Sequence, residues 1–161
     1  MFYPICFNYR HYIELHLKSL IEDSELLYGK MEELGYLKHG SLPKKESESL
    51  GKIHSLNKLL TLLKERLSYT QVSDEEFPKD IEKLIEEMHN SDSNSQQYRY
   101  HRDKKGNLSF PDEKEYKLDG IAGGMKKVHD LLWGIDGYID YYISMSEDII
   151  SSYREEMSAN Y

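Results

Sequence analysis

The stretch Tyr9-Arg10-His11-Tyr12-Ile13-Glu14-Leu15-His16-Leu17-Lys18-Ser19-Leu20 constrains the fold more than any other part of the chain. At about 100° per residue, Ile5, Tyr9, Ile13, Leu20, Leu27, Met31 and Leu34 share one broad apolar arc, and His16 falls among them. Arg10, Glu14 and Lys18 step along a flanking row at i, i+4 and i+8, so an acid lies within reach of a base on either side. A helix with this pattern must bury one side and carry charge along its border. It is expected from Pro4, which suits a first helical turn, to about Leu34, with Gly29 and Gly35 as weak points and Gly40 and Pro43 as a stop.

Three further helices are expected. The first follows a polar loop over residues 38–51 and runs from about Ile53 to Ser68, on the period of Ile53, Leu56, Leu59, Leu60, Leu63 and Leu67. The next starts near Pro78, behind a capping-box pattern at Ser73 to Glu76, with Phe77, Ile81, Leu84, Ile85 and Met88 as its stripe. The last runs from about Asp119 to Met157, and its interior Gly134 and Gly137 predict a kink or a tight helix crossing. Residues 96–110 alone read as strand: Tyr98 and Tyr100 alternate with Arg99 and His101, and Asp103-Lys-Lys-Gly106 suits a turn. The fold class is therefore mainly α, an antiparallel helical bundle of about four helices, with a small β-hairpin inserted before the long last helix. All 161 residues fit one domain.

Composition excludes several classes. No apolar run approaches the roughly 18 residues of a membrane span. The start, Met-Phe-Tyr-Pro-Ile-Cys, shows no basic segment ahead of an apolar one, so a cytoplasmic protein is expected. The one cysteine, Cys6, has no partner for an internal disulfide, which fits a reducing compartment. A net charge of −8 opposes broad nucleic-acid binding but leaves room for a local basic patch. Charge is unevenly spread: residues 1–70 hold 10 basic against 9 acidic groups, and residues 119–161 hold 3 against 8. Fourteen tyrosines, many beside charges, suit half-buried faces or subunit contacts.

The side-chain chemistry narrows further. Gly120-Ile-Ala-Gly-Gly124 lacks the lysine and preceding strand of a phosphate loop. The histidines show no zinc spacing, so neither a metal nor a cofactor is expected. Two readings of the first helix stay open. Arg10, Glu14 and Lys18 form an exposed ladder, or Arg10 and Glu14 sit at a buried border that meets His54. His16 is either a packed core histidine or an acid–base group. Arg10 and His16 lie about 120° apart on the helix, so only a partner surface would gather them. Tyr98, Tyr100, Arg99, Arg102, Lys104 and Lys105 form the one basic, aromatic patch, either a solvated hairpin tip or a grip for RNA by charge and stacking.

Arg10-His11 followed by His16 matches the usual form of a ribonuclease string. Aromatic-Arg10-His11, Glu14-Leu15 and Leu17-Lys18, then His54-Ser55-Leu56, then Tyr98-Arg99-Tyr100 before Asp103-Lys-Lys-Gly106, stand in an order that resembles the HEPN-like domains of bacterial toxin–antitoxin and antiphage-defence systems. The resemblance spans nearly the whole chain. It departs where relatives carry the ribonuclease string on a late helix, and where they place proline at the position of His101. It implies a single HEPN-like module over 1–161, a homodimer, and a cognate antitoxin or larger defence protein as partner. It also implies a candidate metal-independent endoribonuclease, with His16 as acid or base and Arg10 on the phosphoryl group. Glu14 and His54 complete the candidate catalytic set. The alternatives are a non-catalytic helical dimerisation module and a nucleotide-sensing domain using Arg10, Glu14, His54 and Arg99.

Overall fold

The computed structural model describes residues 2–36, 49–70, 77–92 and 118–159. They form α1 (Phe2–Glu33), a 3-10 turn (Leu50–Lys52), α2 (Leu56–Thr70), α3 (Lys79–Ser91) and α4 (Leu118–Ala159). The mainly helical expectation holds, with each helix within a few residues of its expected place. The hairpin expected over 96–110 and the capping box over 73–76 lie outside the described residues.

Local chemistry sets the helix ends. Gly35 takes a φ of 72° and closes α1. The Gly35 N–H reaches the Glu32 carbonyl at 3.0 Å, and the Tyr36 N–H reaches Met31 at 2.9 Å. This paired cap needs a residue that enters the left-handed region without a Cβ clash, and glycine supplies it. Before α2, the Ser55 hydroxyl accepts the Lys58 N–H at 3.3 Å, a serine N-cap. Pro78 opens α3, its carbonyl accepting the N–H groups of Ile81 and Glu82. Asp80 and Glu82 occupy the first turn of α3, where negative charge meets the positive end of the helix dipole.

One apolar core joins all four helices. Ile13, Leu17, Leu20 and Leu27 of α1 pack with Leu56, Leu59 and Leu63 of α2, Ile85 of α3, and Val128, Leu132 and Ile139 of α4. Truncating a fully buried leucine such as Leu17 to alanine would cost about 2–5 kcal/mol.

The helix directions correct the expected antiparallel arrangement. Tyr12 meets His129, Lys30 meets Glu147 and Glu33 meets Arg154, so α1 and α4 run parallel. Glu14 pairs with His54 and Glu25 with Arg66, so α2 runs parallel to α1 as well. Only α3 runs against its neighbours: Lys64 pairs with Glu82, Asp80 with Lys127, and Leu84 touches Gly124. Antiparallel neighbours follow from short loops, and the α1–α2 connection is not short. About 20 residues reach some 65 Å when extended, ample to return along the ~28 Å of α1 between Glu14 and Glu33.

The tight crossing expected at the glycines of α4 is the second correction. The helix is continuous from Leu118 to Ala159. A Cβ built on Gly134 or Gly137 would meet nothing within 4 Å. These glycines therefore mark no helix crossing within the described residues.

Candidate functional site

The charged row of α1 is buried. Arg10 is 0% exposed and Glu14 3%, and Lys18 keeps 13%. The burial follows from where α2 and α3 deliver their ends. Arg10 Nη2 donates to the His54 carbonyl at 2.6 Å, just before α2. Arg10 Nε donates to the Asp92 carbonyl at 2.8 Å, just after α3. Its Nη1 donates to Glu14 Oε2 at 2.9 Å. Buried Asp92 also brings Oδ2 to 4.0 Å from Nε. One planar guanidinium thus ties two chain segments to α1, a task its fixed fork of donors suits and a lysine would not perform.

Glu14 is the hub. Its Oε2 takes Arg10, and its Oε1 takes both Lys18 Nζ at 2.8 Å and His54 Nδ1 at 2.9 Å. Burial pushes the Glu14 carboxyl up, but hydrogen bonds from Lys18, His54 and Arg10 outweigh it and hold the group below its ordinary value. An ionised carboxylate only accepts, so His54 presents Nδ1–H to it. The His54 side chain is 57% exposed. The outcome is a solvent-facing imidazole oriented by a buried carboxylate.

His16 belongs elsewhere. It faces the α1–α4 seam, where its Nδ1 lies 2.9 Å from the Tyr12 hydroxyl. The same hydroxyl lies 2.6 Å from His129 Nδ1. A phenol has one proton to give, so one imidazole accepts from Tyr12 and the other donates to it. Burial lowers the His16 pKa, with Asp136 opposing and His129 adding to the fall. Burial, then the charge of Asp136, raises that of Tyr12. Beside the pair, Tyr9, Tyr12, Ala122, Met125, Lys126 and His129 line an open recess of about 350 Å³.

The structure therefore gathers three of the four candidate catalytic residues, Arg10, Glu14 and His54, and sets His16 apart from them. Of the two readings of the charged row, the buried border meeting His54 is the one observed. Tyr98, Tyr100, Arg99, Arg102, Lys104 and Lys105 lie outside the described residues. Sequence reasoning passed over Asp92, one acidic residue in a polar breaker, and His129, whose only signal is its i, i+4 spacing to Trp133. Among the described residues, no cluster of three or more His, Cys, Asp or Glu side chains is placed to hold a metal ion. No described helix is long and apolar enough to cross a membrane.

No family model, no curated protein and no solved structure matches the chain.

Proposed function

We propose that the chain is a HEPN-like module of a bacterial defence or toxin–antitoxin system that works by association, not by cutting RNA at Arg10 and His16. The observation that carries this reading is the placement of Arg10. An arginine that stabilises a phosphoryl transition state must aim its donors at the substrate. Arg10 is 0% exposed and aims donors at Glu14, His54 and Asp92. His16 serves a different side of α1. The HEPN-like resemblance draws support from a related fact: Arg10, Glu14, Lys18 and His54, which lie in its first two motifs, meet in one network.

A second reading, a metal-independent endoribonuclease, is favoured by His54. Its imidazole is exposed and held by Glu14, the form of a general base for a 2′-hydroxyl. Labelled RNA incubated in EDTA with the wild type, His16→Ala and His54→Ala separates the readings. The association reading expects intact RNA throughout. Cleavage by the wild type that His54→Ala abolishes would overturn it in favour of the nuclease.

A further inference from the structure

Three donor atoms from two helices converge at the α1–α4 seam. Tyr12 Oη lies 2.9 Å from His16 Nδ1 on the same helix and 2.6 Å from His129 Nδ1 on α4. The ring centroids of Tyr12 and His16 are 5.4 Å apart, and those of Tyr12 and His129 are 5.8 Å apart. The i, i+4 spacing of Tyr12 and His16 turns both groups to one face of α1, and His129 closes the set from α4. The phenol proton satisfies only one imidazole, so the other must carry its hydrogen on Nδ1. Each of the three atoms is also a transition-metal ligand, imidazole nitrogen and phenolate oxygen alike.

The spacing selects the kind of ion. Bonds of about 2.0 Å set right-angled donors about 2.8 Å apart and tetrahedral donors about 3.3 Å apart. The observed separations of 2.9 and 2.6 Å fit the right-angled case. Tetragonal sites of nitrogen and oxygen hold copper(II) or nickel(II), and of the two copper binds more tightly. The surrounding charge favours a cation: Asp136 acts on Tyr12, His16 and Asp23, and Asp140 and Glu22 also act on Asp23. Lys126, the basic group beside the seam, is paired with Asp130. Access is open as well. Tyr12 and His129 line the recess of about 350 Å³, which gives an ion an entry path and room for water in its remaining positions.

We infer that Tyr12, His16 and His129 form a site for one copper(II) ion, held by a phenolate oxygen and two imidazole nitrogens, with its remaining positions facing the recess. Binding forms the metal–oxygen bond as the phenol proton leaves to solvent. Both imidazoles then present Nδ1 lone pairs and keep their hydrogens on Nε2. The ion ties α1 to α4 at the point where a shared proton joins them in its absence. Linear spacing hides such a site, because its histidines lie on different helices and its third donor is a tyrosine. The inference goes beyond association and RNA cleavage, since Arg10, Glu14 and His54 lie apart from these three residues.

Trp133, the chain's one tryptophan, reports on the site, because its ring centroid lies 5.8 Å from that of His129. The full chain, stripped with EDTA and dialysed, is titrated with copper(II) at neutral pH. One equivalent should quench most of the Trp133 emission and raise a visible phenolate-to-copper charge-transfer band. Tyr12→Phe keeps the ring and removes the oxygen, so it should abolish the band and weaken binding roughly tenfold or more, the scale of losing even an outer-shell partner. His129→Ala, at an exposed position, should weaken binding by a similar factor with the far-ultraviolet helix signal unchanged. Quenching without a visible band, a band that survives Tyr12→Phe, or unchanged affinity in His129→Ala would overturn the site. None of these readings depends on RNA cleavage or on self-association.

Discussion

Arg10 and His16 share one helix but serve different sides of it: Arg10 binds the carbonyls of His54 and Asp92, while His16 meets Tyr12, whose hydroxyl reaches His129 on α4. A motif that joins them in sequence is thus divided in space. Arg10 becomes a strut for the ends of α2 and α3, and His16 part of a polar seam.

The strut role makes Arg10 a stability residue. Arg10→Met would leave the buried Glu14 carboxylate short of a partner and the His54 and Asp92 carbonyls without this donor. Breaking a buried pair from one side costs about 3–5 kcal/mol, so urea unfolding should shift by that amount. Arg10→Lys should recover little of it, because an ammonium cannot reproduce the fork. A shift under about 1 kcal/mol for Arg10→Met would contradict the strut.

Acid should lower the stability of the fold in two steps. The His16 pKa lies below its ordinary 6.5, chiefly through burial. The unfolded chain therefore binds a proton first as pH falls below 6.5, and stability declines from there toward the folded value. Glu14 acts lower down. Although burial raises it, the bonds from Lys18, His54 and Arg10 leave its folded pKa below the ordinary 4.5. Its contribution is complete above 4.5 and is lost as pH falls through the folded value. Denaturant midpoints measured from pH 8 to pH 3 should show both declines. His16→Asn should flatten the upper one and Glu14→Gln the lower.

Cys6 should be inert while the protein is folded. It is 2% exposed, and burial pushes its thiol up to about 11. At pH 8 roughly one molecule in a thousand would carry the thiolate. Ellman's reagent should react slowly with native protein and within seconds in concentrated urea. Rapid native labelling would show that the N-terminal end of α1 opens readily.

Gly134 and Gly137 weaken α4 without a packing role among the described residues. Neither Gly134 nor Gly137 has a neighbour within 4 Å of a built Cβ. Alanine at either should stabilise the isolated chain by up to about 1 kcal/mol. Thermal midpoints of Gly134→Ala and Gly137→Ala should both rise, and a lower midpoint at either would contradict the open surroundings of that glycine.

Much of this was legible in the residues, because helical periodicity is local. The apolar stripes of α1, α2 and α3 follow from spacing alone, as does the row of Arg10, Glu14 and Lys18. The meeting of that row with His54 was one of two open readings, since burial depends on where α2 starts in space. The parallel run of α1 and α2 was not legible, because a connection of about twenty residues permits either direction. Asp92 and His129 stayed hidden for a related reason. Each gains its role only from a residue about eighty or more positions away, Arg10 in one case and Tyr12 in the other.

The mass of the chain in solution tests the association account most directly. Sedimentation equilibrium over micromolar to hundred-micromolar concentration should give about twice the 19.0 kDa of one chain. A mass of 19.0 kDa for the wild type across the whole range would contradict it.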